Sequence, residues 1–518
     1  MGRTLRNIQI GLDESLEEHL AWMVPGYSDY RILRQSVDAR RRHAPHLIFS
    51  VEVFEGGERA ERPPICLEKI SFSDQPVVIV GAGPAGLFAA LRLCERGVKC
   101  LLLEQGSTTE KRIPAIGRFW RYGELDPRNN VGFGEGGAGL FSDGKLITRI
   151  KSAHIPYVMQ RLVRFGAPAE IEYLANPHVG SDRIRRVIPK LRAFLLEAGC
   201  EIRFDTKVDE ILTRDRAVTG VRTSAGEVIS CERLILACGH SAEDMFAHLH
   251  AIGVHMEGKS FAVGLRVEHP QEDLNRMQYR EFAGHPKLGA ANYRLAFHEH
   301  RSDVGVYSFC MCPGGFVLSS GTSPGGVVSN GMSNFNRGSR FGNAATVLSV
   351  KFDENFGGDL FGGLNFRKSL EARALELVRA AGGTRELPAQ RLVDFLGETA
   401  GPVLDSSCPS GVVPARLDTL FDPEFRRHFQ EGVQRFHREM AGFISDRALL
   451  HGVESRTSCP LRVRRDPKSL QSVSHRGLYP AGEGAGYAGG ITSAACDGVR
   501  IAEAIVEEVV STRAAPSR

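Results

Sequence analysis

Several features are scarce in this sequence of 518 residues. Tryptophan occurs only at Trp22 and Trp120, and no apolar run approaches the roughly 18 residues that a membrane-spanning helix needs. Basic and acidic side chains nearly cancel, with 65 Lys and Arg against 61 Asp and Glu and a formal net charge of +4. So small a charge argues against a nucleic-acid or anionic-membrane partner. We therefore expect no nucleic acid and no membrane among the partners of this chain.

The cysteines form no regular framework. The chain has 11 of them, and Cys310 and Cys312 form the one close pair, whereas small secreted domains space their cysteines for disulfides. Residues 1–14 also lack the apolar stretch of a secretory signal. Both observations favour the reducing cytoplasm as the location.

Glycine, in contrast, is abundant. The chain contains 57 glycines, roughly twenty more than the average usage of about 7% predicts. Three short segments, 81–86, 132–144 and 477–490, hold 15 of them. Because glycine accepts positive φ angles and lets backbone approach a ligand closely, these segments predict ligand-binding loops.

Segment 81–86 has the pattern of a dinucleotide-binding turn. Its residues, Gly81-Ala-Gly83-Pro84-Ala85-Gly86, follow an apolar run and open a helical pattern, and a second apolar run ends at Glu104, 18 residues after Gly86. In such βαβ units the first glycine makes the turn, the second admits a pyrophosphate, and the third lets helix and strand pack. Glu104, followed by Gln105, would accept hydrogen bonds from the adenosine ribose. The whole unit weakens the alternative of a structural turn in a ligand-free α/β domain.

Segment 477–490 distinguishes FAD from NAD. It resembles the second flavin motif of the glutathione-reductase type of FAD protein. The resemblance implies that Gly482 permits close approach, that Glu483 binds the ribityl chain, and that a helix starting near Gly489, Gly490 and Ile491 faces the flavin N1/O2 edge. Reduced flavin carries negative charge at that edge, which a helix N-terminus stabilises. Ala237, Cys238 and Gly239 match a further segment of this fold, and we also expect Val208 to contact the FAD.

Three more segments indicate a family. Residues 131–146, 309–315 and 330–333 resemble hallmarks of the bacterial FAD-dependent dehydrogenase-like family of uncharacterised NAD(P)/FAD-dependent oxidoreductases. The resemblance implies an α/β fold: a Rossmann-like FAD-binding domain of the glutathione-reductase type at 74–250 and 446–518, with an inserted mixed α+β substrate domain at 251–445. A small N-terminal ferredoxin-like α+β module would occupy 1–64.

The loop of residues 132–145 is expected to lie against the isoalloxazine or the pyrophosphate. Small residues there would admit the ring, and Lys145 could face N5, the N1/O2 edge or a phosphate. The alternative is a glycine-rich surface loop. The predicted cofactor contacts in this loop are Gly134, Gly136, Gly137, Gly139 and Lys145.

Five residues are candidates for catalysis: Lys145, His178, Cys310, Cys312 and Tyr487. Cys310 and Cys312 would face one side of a strand, as a reversible dithiol or, alternatively, as buried small side chains or a substrate-facing wall. Together with His298 and His300 they could surround a zinc ion. Their spacing is not that of a standard zinc site, so we predict no metal.

These observations predict an FAD-dependent oxidoreductase that moves a hydride between a small organic substrate and flavin N5, as a dehydrogenase, oxidase or ene-reductase. No second GxGxxG follows a strand, and no CxxxxC or WxWxIP sequence is present. The sequence therefore lacks the NAD(P)H domain and disulfide of the disulfide reductases and the signature of flavin halogenases. NAD(P)H and oxygen both stay open as electron partners.

Two alternatives remain. One is a flavin-containing binding or redox-sensing protein that uses the N-terminal unit and its arginines, Arg40 to Arg42, to engage RNA or a protein. The other is a flavin-dependent RNA-modifying enzyme, which the small net charge disfavours. Substrate, reaction direction and oligomeric state do not follow from the sequence.

Overall fold

The computed structural model describes residues 2–40, 43–60, 65 and 67–514. Pro63 and Pro64, together with Arg41 and Arg42 of the arginines considered for partner binding, lie outside the described residues. None of the helices in the described ranges is long and apolar enough to cross a membrane.

The N-terminal unit is a three-stranded antiparallel sheet with one helix. Its elements are β1 (Arg3–Gly11), α1 (Leu16–Met23), β2 (Asp29–Asp38) and β3 (His46–Phe54). The strand order is β1-β3-β2, and both neighbouring pairs are antiparallel. Helix α1 begins after Ser15, whose hydroxyl accepts the amide N–H of Glu18 and so caps the helix.

Strand β2 of this unit forms backbone hydrogen bonds with residues 173–175 of the second unit. The amide of Gln35 donates to the carbonyl of Tyr173 at 2.9 Å, and the carbonyl of Gln35 accepts the amide of Ala175 at 2.8 Å.

The second unit is built on a parallel sheet. Its elements up to residue 251 are β4 (Val77–Val80), α2 (Pro84–Glu95), β5 (Cys100–Leu103), α3 (Thr109–Tyr122), α4 (Ile155–Arg164), α5 (Ser181–Glu197), β6 (Glu201–Arg203), β7 (Val208–Arg214), β8 (Ala217–Thr223), β9 (Val228–Ser230), β10 (Leu234–Leu236) and α6 (Glu243–Ala251).

A third group of elements forms the inserted unit. It comprises β11 (Met256–Gly258), β12 (Phe261–Pro270), α7 (Gln271–Tyr279), β13 (Ala296–Glu299), β14 (Val304–Cys312), β15 (Gly315–Ser319), β16 (Ser329–Ser333), β17 (Phe341–Val350), α8 (Phe352–Phe356), α9 (Gly362–Ala380), β18 (Leu387–Arg391), α10 (Leu392–Leu396), β19 (Val412–Pro414), α11 (Pro423–Glu439) and β20 (Leu449–Glu454). The chain ends with β21 (Leu461–Val463), β22 (Leu478–Pro480) and α12 (Ile491–Ala514).

Both faces of the parallel sheet are covered. Its order is β22-β10-β4-β5-β6, and all four residues of β4 are buried, as expected for a strand packed on both faces. Val77 and Ile79 belong to the core shared with α2 and α12, whereas Val78 and Val80 belong to the core shared with the antiparallel sheet β7-β8-β9.

The inserted unit contains a seven-stranded sheet with the order β13-β14-β17-β12-β20-β18-β19. All ten residues of β12 are buried. Strand β20 pairs antiparallel with β12, so residues 449–454 belong to this sheet. The expected domain boundary at residue 445 had instead assigned them to the FAD-binding domain. The sequence does not reveal this pairing, because the partner strand is nearly 200 residues away along the chain.

Candidate active site

A cavity lies along the carboxyl ends of β4, β5, β10 and β22, where open α/β sheets bind their ligands. Eighteen of the predicted cofactor-binding residues line it: Gly81, Gly83, Pro84, Ala85, Glu104, Gln105, Gly137, Gly139, Lys145, Val208, Ala237, Cys238, Gly239, Gly482, Glu483, Gly489, Gly490 and Ile491.

In the first glycine turn, Gly86 serves packing and Gly83 leaves room for a ligand. Gly81 has φ +105° and donates its amide to the carbonyl of Leu103 at 2.8 Å. A Cβ on Gly86 would lie 1.9 Å from the Gly81 carbonyl oxygen, so Gly86 allows helix and strand to pack and does not line the cavity. A Cβ on Gly83 would meet only Gly137 Cα, at 3.9 Å. Gly83 therefore leaves open the space that a pyrophosphate needs above the N-terminus of α2.

The Glu104 carboxylate is held by backbone amides. Its Oε2 accepts the amide of Ala82 at 2.8 Å, and its Oε1 accepts those of Gly106 at 2.9 Å and Gly134 at 3.0 Å. A carboxylate has about four acceptor positions, so three bonds leave capacity for a ribose hydroxyl. The geometry suits the ribose-binding role expected from the sequence.

Gly134 and Gly136 do not line the cavity. They have φ angles of +109° and +83°, and the amide of Gly136 donates to the carbonyl of Ala82 at 2.8 Å. Their conformations shape the loop behind the cavity wall, so these two residues support the site without lining it, in contrast to the contact expected.

The Arg112 side chain forms hydrogen bonds with backbone carbonyls of the same glycine loop and of the two residues before it. Its side chain is fully buried, and burial lowers the pKa of the guanidinium to about 9. Its donors lie 2.7 to 3.3 Å from five backbone carbonyl oxygens, those of Asn130, Val131, Gly134, Glu135 and Gly137. One side chain thus satisfies the carbonyls that a loop this rich in turns would leave unpaired.

The second flavin motif is anchored by a buried ion pair. Arg465 contacts both carboxylate oxygens of Asp497, at 2.9 and 2.6 Å, and donates to the carbonyl of Pro480 at 2.7 Å. Tyr487 packs against this pair, with its ring centroid 3.8 Å from the Arg465 guanidinium carbon and its hydroxyl accepting the Arg465 amide. Tyr487 is therefore directed away from the cavity, and we make no catalytic proposal for it.

Glu483 lines the cavity close to His240, with 3.5 Å between its Oε1 and the His240 Nδ1. Burial raises the pKa of Glu483 to about 7 and lowers that of His240 to about 3. A protonated or half-ionised Glu483 could donate as well as accept a hydrogen bond, which suits a chain of ribityl hydroxyls.

The end of the cavity near Lys145 receives residues from the inserted unit. Lys145 lines it together with Cys310, Asn330 and Glu454. Among the described residues, no carboxylate forms an ion pair with the Lys145 ammonium. His178 pairs with Lys145 through the backbone, but its ring stacks on Phe335 and its Nε2 lies 3.0 Å from the Phe335 carbonyl oxygen. The His178 side chain therefore lies behind the cavity wall, and we make no catalytic proposal for it.

A buried polar network below this end was not predicted as a site. Arg266 contacts both oxygens of Glu454, at 3.0 and 3.1 Å, and donates to Asn343 Oδ1 at 2.9 Å. The sequence does carry a signal for it, because these charged and amide residues interrupt the otherwise apolar strands β12, β17 and β20.

Cys310 lines the cavity, and Cys312 is fully buried behind it. The two histidines considered with them are not part of this set, since His298 faces Asp303 at 3.1 Å. Among the described residues, the only cluster of three or more possible metal ligands comprises Cys94, Cys100 and Cys200, at the amino-terminal edge of the parallel sheet.

Comparisons with known proteins agree with this geometry. The profile of FAD-binding domains matches residues 74–118, and that of the C-terminal domain-like region of FAD-dependent proteins matches residues 260–457. The fold and cavity thus define an FAD-dependent enzyme, an oxidoreductase whose cofactor is FAD. An uncharacterized protein of Clostridium beijerinckii is 38% identical over 534 aligned positions, which cover 98% of this chain and 99% of that protein. The chain and this relative therefore belong to one protein family, and the two matching profiles identify this chain as an FAD-dependent member.

Other similarities are more distant. Protein FixC of Salmonella typhi is 27% identical over 228 residues, which cover 41% of this chain and 49% of FixC. The aklavinone 12-hydroxylase DnrF of Streptomyces peucetius is 27% identical over 236 residues, covering 41% of this chain and 46% of the hydroxylase. The crystal structure of halogenase PltM overlaps with 84% of this chain and 70% of its own, at 10% identity and a TM-score of 0.40.

Proposed function

We propose that this enzyme transfers a hydride between a small organic substrate and flavin N5, as a dehydrogenase, an oxidase or an ene-reductase. The observation that carries the proposal is the end of the cavity, where the inserted unit adds Cys310, Asn330 and Glu454 opposite Lys145. A space with a few convergent polar groups beside a cofactor is the usual form of a small-molecule site.

Each part of the chain has a role in this proposal. Gly83 and the N-terminus of α2 hold the pyrophosphate, Glu104 binds the adenosine ribose, and Glu483 binds the ribityl chain. The N-terminus of α12, at Ile491, would stabilise negative charge on a flavin bound in the cavity. The bound flavin supplies the atom that accepts or donates the hydride. Lys145 stabilises negative charge on the ring or on the substrate, because its ammonium has no competing ion pair among the described residues.

The finer fold assignment is part of this proposal. A five-stranded parallel sheet carrying a three-stranded antiparallel sheet on one face supports a flavin domain of the glutathione-reductase type. We also propose NAD(P)H or oxygen as the electron partner, in the cytoplasm.

The test uses anaerobic holoprotein. Oxidised enzyme is mixed with small amines, alcohols and saturated carbonyl compounds, and photoreduced enzyme is mixed with activated alkenes, while flavin absorbance is followed. We expect one class to change the flavin redox state at a rate that slows when deuterium replaces the transferred hydrogen. In a parallel incubation of reduced enzyme and substrate with labelled O₂, a product that carries an oxygen atom from O₂ would instead make the enzyme a hydroxylase. A flavin that dithionite cannot reduce would exclude both reactions.

A further inference from the structure

The end of strand β14 departs from regular sheet geometry where it reaches the cavity. Pairing with β17 is regular as far as Phe309 and Ala345, and the next pair is Cys312 with Asn343. Two residues of β14, Cys310 and Met311, thus lie opposite one residue of β17, which is a β-bulge. Cys310 has φ +47°, a value that residues with a side chain seldom adopt. Bulges of this kind recur next to active sites, where they redirect a side chain.

The bulge includes Cys310 and directly precedes Cys312. In a regular strand, residues two apart have Cα atoms about 6.6 Å apart, near the upper limit for a disulfide. Here the Cys312 Sγ donates to the Cys310 carbonyl oxygen at 3.3 Å. The sulfur of Cys312 is therefore directed back toward residue 310.

The two sulfurs differ in access and in charge. Cys310 faces the cavity near Lys145, whereas Cys312 is fully buried. The neighbouring Cys312 thiol, together with the positive charges of Lys145 and Arg266, lowers the pKa of Cys310. Cys238 also lines the cavity, and burial raises the pKa of its thiol to about 12. Cys310 is thus the more reactive of these two cavity thiols, because the thiolate is the nucleophilic form.

We propose that Cys310 and Cys312 form a reversible dithiol–disulfide pair that exchanges two electrons with the flavin. In the oxidising direction, the two thiols lose two protons and two electrons, a bond forms between the sulfurs, and the oxidised flavin is reduced. In the reverse direction, reduced flavin gives up two electrons, the S–S bond breaks, and each sulfur takes up a proton. Cys310 exchanges electrons with the cofactor, and Cys312 is its partner. This inference rests on one part of the proposed function, namely that the bound flavin is the group that takes up and releases electrons.

The backbone around the pair supports this role. Arg266 Nη1 lies 3.5 Å from the Cys310 carbonyl oxygen while both oxygens of Glu454 hold the same guanidinium. The bulge is thus held in place by a buried ion pair.

The first test counts electrons. Anaerobic dithionite titration of air-oxidised holoprotein should consume about four electrons per flavin, two for the flavin and two for the disulfide couple. The Cys310→Ser and Cys312→Ser variants should each consume about two. The matched control Cys231→Ser removes a thiol buried outside the cavity and should keep the value near four.

The second test reads the sulfurs directly. Tryptic cleavage after Arg301 and Arg337 gives one peptide that contains Cys310, Cys312 and no other cysteine. After acid quenching, alkylation and mass analysis, we expect this peptide to be unalkylated in oxidised holoprotein and doubly alkylated after anaerobic photoreduction. Apoprotein given the same illumination should keep the disulfide.

The outcomes separate the two proposals. A wild-type titration of about two electrons, or a peptide that is alkylated in every state, overturns the dithiol inference, even if an organic substrate reduces the flavin. A titration of about four electrons with no organic substrate found would instead retain the inference and overturn the proposed reaction.

Discussion

The amide of Gly482 donates to Asp497 Oδ2 at 2.8 Å, so the second flavin motif is fixed to helix α12 by a carboxylate that Arg465 also holds. Asp497→Asn would leave the buried Arg465 guanidinium without its counter-charge. We expect the free energy of unfolding to fall by about 3–5 kcal/mol and FAD affinity to fall with it, measured by urea unfolding and flavin fluorescence. The control, Glu431→Gln, breaks the exposed Arg427–Glu431 pair and should cost less than about 1 kcal/mol. Equal losses in the two variants would contradict this assignment.

Alanine at two neighbouring glycines should separate folding from cofactor binding. At Gly86 the new Cβ meets a backbone carbonyl at 1.9 Å, and we expect a loss of about 3 kcal/mol or more. At Gly83 the φ of −79° suits alanine and the apoprotein has room, so the Tm of the apoprotein should hardly change while FAD binding is lost. Thermal unfolding and FAD titration of both variants provide the check. Normal FAD affinity in Gly83→Ala would mean that the pyrophosphate binds elsewhere.

Replacing Glu104 by Gln should weaken FAD binding. The amide side chain would lose one acceptor oxygen toward the backbone amides and its charge toward the ribose. Hydrogen bonds to charged groups contribute about 1.5–3 kcal/mol, so the Kd for FAD should rise about 10- to 100-fold. The control is Glu197→Gln, which changes an exposed carboxylate on α5 and should leave the Kd unaltered.

The raised pKa of Glu483 predicts a pH-dependent stability of the apoprotein. In the unfolded chain this carboxyl titrates near its ordinary value of 4.5, and in the folded protein near 7. Between these values the folded state binds more protons, so this group's contribution to stability is complete below pH 4.5 and is lost as the pH rises toward about 7. Denaturant unfolding at a series of pH values should show this decline in the wild type and a flatter profile in Glu483→Gln. If the wild type and Glu483→Gln showed the same dependence of unfolding free energy on pH, the Glu483 carboxyl would be less buried than the structure shows.

Lys145→Met should slow flavin reduction without removing the flavin. If its ammonium stabilises charge that develops during hydride transfer, the rate should fall about 100-fold, as measured by anaerobic stopped-flow absorbance. Lys111→Met, on the exposed side of α3, is the matched control. Loss of FAD from the Lys145 variant would instead assign the residue to cofactor binding.

The glycine motifs could be predicted from the sequence because their chemistry is local. Gly81, Gly83, Gly86 and Glu104 act through turn geometry, backbone amides and the start of a helix, all encoded within about 25 residues.

Side-chain direction at the far end of the site could not be predicted in this way. Tyr487 lies within the second flavin motif, yet it is turned toward Arg465 by a stacking contact formed across 22 residues. Arg266 and Glu454 are separated by 188 positions, and only the pairing of β12 with β20 brings them together. The pairing of these strands also moves residues 449–454 into the inserted unit.

Arg112 has a consequence for how the cofactor binds. Because its guanidinium holds three carbonyls of the glycine loop and those of the two residues just before it, Asn130 and Val131, the protein itself fixes the shape of that loop. The chain therefore loses little conformational entropy when FAD binds, and more of the contact energy contributes to affinity. A single side chain buried in helix α3 thus makes this glycine-rich wall of the cavity a preorganised surface.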